Sequence, residues 1–138
     1  MSDRIVLSNM RFEGRHGYYD HELASPQPFE VDVELVLNLQ PAGVEDDLAQ
    51  TIDYGRIYAI ARQVVESTSF RLIEAIAEAI SHEILVEFDV TEVGVRVRKP
   101  AVKLGGQLDL GLSNTHADLG DLELDEDLVA DRLGDRLE

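Results

Sequence analysis

From Phe29 to Leu39 the chain alternates residue by residue. Phe29, Val31, Val33, Leu35, Leu37 and Leu39 fall on one face; Glu30, Asp32, Glu34 and Asn38 fall on the other, with Val36 the exception. Successive side chains of a strand point to opposite sides. A period of two kept over this stretch therefore dictates a long antiparallel strand with one dry and one wet face. Such a strand needs neighbouring strands and a second layer over its apolar face. The chain has 138 residues, 44% of them hydrophobic, which is room for one such two-layer unit.

The rest of the chain supplies the partners. Residues 4–12 (RIVLSNMRF) predict a first strand, broken by Gly14 and Gly17. Residues 13–28 read as a loop, punctuated by Ser25-Pro26 and Gln27-Pro28, so the first two strands form a hairpin with a wide connection. Asp53 is placed to cap a helix over 54–66, whose apolar stripe is Ile57, Ile60, Ala61, Val64 and Val65. Ser67-Thr68-Ser69 separates it from a second helix over 70–87, with Leu72, Ile73, Ile76, Ala77, Ile80, Ile84 and Leu85 at helical spacing. Residues 91–98 alternate again, Val93, Val95 and Val97 against Arg96 and Arg98. Lys99-Pro100 and a Gly105-Gly106 loop follow, then a weak last strand near 108–116, where Gly111, Ser113 and Asn114 are poor strand formers. The order ββααββ predicts an α+β domain: a four-stranded antiparallel sheet with two helices on one face. Its two open edges invite pairing with further copies, so oligomerisation is expected.

Charge and composition remove several classes of function. The net charge of −16 argues against nucleic acid, whose phosphates would be repelled. From Asp118 onward there are nine acidic and two basic residues, which divides the chain into a domain, 1–117, and an acidic tail, 118–138. The tail reads as disordered or as a short helix with Leu128, Val129, Leu133 and Leu137 on one face. Without cysteine there is no disulfide, thiolate nucleophile or zinc–sulfur site. Met1-Ser2-Asp3-Arg4 is not the start of a signal peptide, and no apolar run is long enough to span a bilayer, so a soluble cytoplasmic protein is expected.

Several residues could carry chemistry, and each has a duller reading. Glu22 sits in a polar loop, His16-Gly17-Tyr18-Tyr19-Asp20-His21-Glu22, and could simply be solvated. Tyr54 opens a helix, where its ring could pack or its hydroxyl find donors. Glu74 lies one residue off an apolar stripe, like Glu78. It is a boundary carboxylate, or one placed to grip two adjacent N–H donors. Lys99 ends a strand, as a solvated lysine or as a general acid and base. Arg96, Arg98 and Lys103 lie near it in sequence and either recruit an anionic substrate or offset local acid. His16, His21, His82 and His116 form no H-x-H or H-E-x-x-H pattern, so no metal site is expected. Ser113 and His116 form no nucleophile motif, and the glycines form no phosphate loop.

Taken together and in order, these stretches resemble the dihydroneopterin aldolase family. The resemblance rests on Met10–Gly17 (MRFEGRHG), Asp20-His21-Glu22, Phe29–Val33 (FEVDV), Asp46-Asp47-Leu48, Thr51-Ile52-Asp53-Tyr54-Gly55, Leu72–Ala77 (LIEAIA) and Val95–Pro100 (VRVRKP). It covers about residues 3–110. It implies the tunnelling fold, in which four subunits close their sheets into a barrel and two rings stack, giving a tetramer or octamer with sites between subunits. It also implies a carbon–carbon lyase acting on a reduced pterin, a retro-aldol cleavage of 7,8-dihydroneopterin in folate biosynthesis, with epimerase activity as a by-product. No cofactor, metal or Schiff base is implied.

The resemblance assigns roles residue by residue. Glu74 would hold the pterin's amino-pyrimidinone edge, helped by backbone groups at Ile73 and Ile52. Tyr54 would arrive from a neighbouring subunit, bind near the reacting end and share the proton transfers with Lys99 and water. Glu22 would contact the hydroxylated side chain or a water, and Lys99 would move protons. Two stretches depart from the family pattern: the last strand, which lacks a continuous apolar alternation, and the acidic tail. The rival readings are a dihydroneopterin triphosphate epimerase, which needs more cations, and a non-catalytic pterin-binding ring protein. A zinc-dependent pyruvoyl-tetrahydropterin synthase is opposed by the missing H-x-H pair.

Overall fold

The computed structural model describes residues 3–38, 40–46, 52–100 and 110–117. Along the chain run β1 (Asp3–Gly14), α1 (Asp20–Ala24), β2 (Gln27–Leu37), α2 (Gln40–Glu45), α3 (Tyr54–Ser67), α4 (Ile73–Glu87), β3 (Glu92–Lys99) and β4 (Leu110–Ala117). The strands form one sheet in the order β1-β2-β3-β4, with every neighbouring pair antiparallel. The alternation that began the argument is obeyed: Phe29, Val31, Val33 and Leu35 are fully buried, in one core with Ile57, Ile60, Val64 and Val65 of α3 and Ile76, Ile80 and Ile84 of α4. Both long helices thus cover one face of the sheet, as the binary pattern requires. No described helix is long and apolar enough to cross a membrane.

β1 contains a device that its sequence conceals. Leu7 pairs with Val33 and Met10 with Val31, so Ser8 and Asn9 together face the single residue Asp32. This is a β-bulge, and it reverses the inward–outward parity of the strand. Ile5 and Leu7 pack against the core before it, and Met10 and Phe12 after it. Unbroken alternation would have turned Asn9, Arg11 and Glu13 inward instead. Asn9 takes the left-handed conformation the bulge needs (φ 61°), which asparagine tolerates better than most residues.

The bulge is fastened on the outer face of the sheet. The Asn9 amide donates to Asp32 Oδ1 at 2.7 Å. Arg98 on β3 donates to Asn9 Oδ1 at 3.0 Å and to both Asp32 oxygens, and lies 3.7 Å from Glu30. The Arg98 hydrogen bond, ahead of the opposing burial, holds the Asp32 carboxyl below the usual carboxylate range, helped by the Asn9 amide and the charges of Arg98 and Arg96.

The structure departs from the sequence expectations at several points, among them the short helix α2 (Gln40–Glu45), which the order ββααββ did not include. The expected loop 13–28 contains α1, and β2 begins at Gln27 rather than 29. The second helix begins at Ile73 rather than 70, because the Phe70 backbone is hydrogen-bonded to the loop after β1. The last strand expected near 108–116 is present as β4, a regular eight-residue strand, although Gly111, Ser113 and Asn114 are poor strand formers. Pairing with β3 overrides propensity there, with Arg98 opposite Gly111, Arg96 opposite Ser113 and Val95 opposite Asn114. Lys103, the Gly105-Gly106 pair and the tail 118–138 lie outside the described residues.

Candidate active site

Lys99 is the last residue of β3 and falls in phase with Val95 and Val97, so its side chain enters the helix-covered face. It is buried, with 7% of the residue exposed. A lysine is rarely placed so unless paired, and its ammonium meets the Glu22 carboxylate directly. Glu22 belongs to α1, and its Oε1 also accepts the Tyr19 amide at 3.2 Å. Burial pushes the Glu22 carboxyl up, but the hydrogen bond and charge of Lys99, the Tyr19 amide and the Gln27 side chain outweigh it, and the net shift is downward. Glu22 is therefore held as a carboxylate beside an ammonium at the end of the sheet. A hydroxyl or water reaching the pair would find both an acceptor and a donor of protons.

The loop carrying Glu22 is seated by its neighbours. A Cβ on Gly17 would stand 2.4 Å from Glu22 Cδ and 2.5 Å from its Cβ, so only glycine leaves the carboxylate its place. Arg71, just before α4, donates to the Tyr18 carbonyl at 2.7 Å and reaches Asp20 at 3.4 Å. His16 is fully buried, accepts the Phe70 amide at Nδ1 (2.9 Å) and lies 2.7 Å from the Val65 carbonyl through Nε2. Those partners fix it as the neutral imidazole with its proton on Nε2.

Ile73 and Glu74 open α4, close in sequence to the Phe70 and Arg71 contacts, and so belong to the same end of the subunit. Glu74 is exposed. It heads the helical stripe continued by Glu78 and Ser81, which hydrogen-bond Asn114 of the edge strand β4. Glu74 thus stands on the side of α4 next to an open sheet edge.

Tyr54 and Ile52 are placed elsewhere. Tyr54 is the first residue of α3 and is 65% exposed. The far end of α3, at Val65, touches His16. Its near end is tied by Arg56 to Glu87 at the other end of α4. A helix of 14 residues rises by about 20 Å, so one subunit does not bring Tyr54 to Lys99. The Ile52 side chain is in the core, 6% exposed, which leaves only its backbone for a ligand. Arg96 and Arg98 do not flank Lys99: they point to the opposite face of the sheet, where Arg98 is engaged by Asp32, Asn9 and Glu30. Among the described residues no group of three or more histidines or carboxylates is placed to hold a metal.

Sequence reasoning missed two members of this neighbourhood. Gln27 was read as punctuation, yet it helps hold the Glu22 carboxylate. Its parity with Phe29 and Val31 was the available signal. His16 enters the sequence reading as a possible metal ligand and within the Met10–Gly17 motif of the family resemblance, with no role of its own. Its isolation among glycines gave no sign that its ring satisfies two backbone groups.

Comparison with known proteins agrees with this geometry. The FolB dihydroneopterin aldolase family profile matches residues 5–112. A dihydroneopterin aldolase of Streptococcus pyogenes serotype M18 is 39% identical over 105 residues, covering 75% of this chain and 88% of the relative. That of Bacillus subtilis strain 168 is 36% identical over the same length, with the same coverage. The crystal structure of Escherichia coli dihydroneopterin aldolase in complex with neopterin superposes with a TM-score of 0.78 at 23% identity, over 83% of this chain and 99% of that one. The fold is thus the tunnelling fold, and this chain belongs to the dihydroneopterin aldolase family.

Proposed function

We propose that the chain is a dihydroneopterin aldolase. It cleaves the side chain of 7,8-dihydroneopterin, yielding 6-hydroxymethyl-7,8-dihydropterin and glycolaldehyde. A base takes the proton of the side-chain hydroxyl. The adjacent carbon–carbon bond breaks, and its electrons pass into the ring's own C=N bond to give an enamine. An acid then protonates the carbon left behind. Because the ring is the electron sink, neither a metal nor a lysine Schiff base is required. Recombination with the turned aldehyde gives epimerisation as a side reaction.

The observation that carries this reading is the buried Lys99–Glu22 pair. Lys99 is the proton donor and acceptor, and Glu22 orients the hydroxyl or a water. Glu74 holds the amino-pyrimidinone edge through paired N–H donors, with the Ile73 and Ile52 backbones beside the ring. Tyr54 comes from a neighbouring subunit to the reacting end, where it shares the proton transfers with Lys99 and water, in keeping with its distance from Lys99 within one chain and with the open edges β1 and β4. The assembly is a tetrameric barrel or its stacked octamer. The family match ends at residue 112, which supports an enzyme unit of 1–117 with the acidic tail outside it. The position of Arg98 on the opposite face supports an uncharged side chain over a triphosphate.

The test is to incubate purified protein with 7,8-dihydroneopterin and a chelator and assay the products, and in a separate sample to add borohydride during turnover and analyse the protein alone. Glycolaldehyde and the hydroxymethyl pterin are expected, with no adduct trapped on the protein. Absence of glycolaldehyde would refute the aldolase reading, and a trapped lysine adduct would refute the mechanism. Coassembly of Lys99→Met with Tyr54→Phe subunits should recover turnover that each lacks alone.

A further inference from the structure

His16 lies outside the chemistry just described, yet it is a fully buried polar side chain that, together with the exposed Arg71, joins the two halves of the proposed site. Its ring is fully buried, between Phe29 (edge-on, 5.2 Å) and Phe70 (stacked, 6.0 Å). It satisfies the Phe70 amide and the Val65 carbonyl, and the next residue's amide, that of Gly17, donates to the Phe70 carbonyl at 2.9 Å. Both backbone groups of Phe70 are therefore engaged by residues 16 and 17. A Cβ on Gly14 would stand 2.5 Å from the Val65 carbonyl and 2.8 Å from the imidazole, so the loop lies directly on the junction between α3 and α4.

Two short stretches of chain lead away from this junction. One runs from Gly17, packed on Glu22, into α1; the other runs from Phe70 into α4 and Glu74. We infer that His16 is a positioning residue for the reaction: it sets the Glu22–Lys99 pair relative to Glu74 while touching neither substrate nor reacting atoms. This rests on the aldolase reading above. Packing alone would need a ring of this size but no particular nitrogens. The inference requires both nitrogens, because unpaired buried amide and carbonyl groups would shift to find water and carry the α4 start with them.

The test compares three variants in the full-length protein with 7,8-dihydroneopterin as substrate, at a temperature where each is folded by circular dichroism. His16→Phe keeps the ring and loses both hydrogen bonds. His16→Asn keeps an acceptor for the Phe70 amide. Phe29→Leu disturbs the packing on the same imidazole and leaves its hydrogen bonds. A displacement of about 1 Å at a reacting group costs on the order of 10²-fold in rate. His16→Phe is therefore expected to lose about that factor in kcat/KM, divided between a higher KM and a lower kcat, and His16→Asn to recover at least tenfold of it. Phe29→Leu should lose stability with kcat/KM within threefold of wild type. Unchanged kcat/KM in folded His16→Phe, or an equal kinetic loss in Phe29→Leu, would overturn the positioning role while leaving the aldolase reading intact. A wild-type protein without turnover would remove both.

Discussion

Replacing Lys99 by methionine tests the centre of the site with little change of volume. The Lys99 side chain is 9% exposed and that of Glu22 14%. Removing one member of a buried pair leaves the other charge uncompensated, at a cost of about 3–5 kcal/mol in general. Here Glu22 keeps the Tyr19 amide and Gln27. The anticipated loss at neutral pH is therefore nearer 2–3 kcal/mol, roughly that of a hydrogen bond to a charged group. Turnover should fall by about 10²–10⁴, the usual worth of a proton-transfer group.

The pH dependence gives the sharper test. In the native protein burial pushes the Glu22 carboxyl up, and the Lys99 contacts, the Tyr19 amide and Gln27 bring it below its ordinary value. A carboxyl lowered in the folded state contributes stability above its unfolded pKa and loses it as pH falls through the folded one. In Lys99→Met the burial remains and both Lys99 contributions vanish, so the carboxyl moves upward. Its penalty is then complete at high pH and fades as the group protonates. The stability gap between wild type and variant should be wide at pH 7.5 and narrower at pH 5.5, both above the isoelectric point near 4.4. Urea unfolding at equal protomer concentration measures it. Adding Glu22→Gln to Lys99→Met should restore stability at pH 7.5 and leave turnover absent. A gap of the same size at both pH values, or a double variant no more stable than the single one, would show that Glu22 is not an uncompensated buried charge in Lys99→Met.

Further outcomes follow from the same geometry. Glu74→Ala should weaken neopterin binding by about 10- to 10²-fold, the worth of a charge-assisted hydrogen bond, and leave stability unchanged; a fluorescence titration with unchanged affinity would remove the anchor. Asp32→Asn should cost about 1–3 kcal/mol by leaving Arg98 poorly paired, with turnover per folded subunit intact, since Asp32 and Lys99 face opposite sides of the sheet. The Asp32 contribution is present above the usual carboxylate range and is lost on acidification, because its folded carboxyl is lowered. Asn9→Ala should lose about 1–2 kcal/mol to the left-handed backbone and Asn9→Gly less, as read by urea midpoints; equal losses would show that the bulge does not need that conformation.

What could be read in advance depended on whether a residue's role was periodic. Phe29 to Leu35 and the stripes of α3 and α4 declared their faces because burial acts on every second or every third and fourth residue. The bulge at Ser8-Asn9 resets parity once, and a single reset leaves no period to detect. β4 stands where a last strand was expected, and its regularity was not legible for a related reason: its ladder is supplied by β3, a partner that local propensity does not include. In the site, Glu22, Glu74 and Lys99 stand out through an ordered set of motifs, while the burial and pairing of Lys99 and Glu22 are not legible. His16 acts by satisfying backbone groups distant in sequence, which no local pattern marks.

The placement of Tyr54 extends this to the assembly. One end of α3 is fixed at His16 through Val65 and the other at Glu87 through Arg56, so bending cannot bring Tyr54 to Lys99. A rearrangement within the subunit would have to break the core formed by Ile57, Ile60, Ala61, Val64 and Val65, all of them buried. At about 1.5–3 kcal/mol for each large apolar side chain, that far exceeds what a small ligand could supply. If Tyr54 and Lys99 serve one reaction, they do so from different chains. The open edges of β1 and β4 then become part of the catalytic apparatus, because the pairing that closes them is what would complete the site.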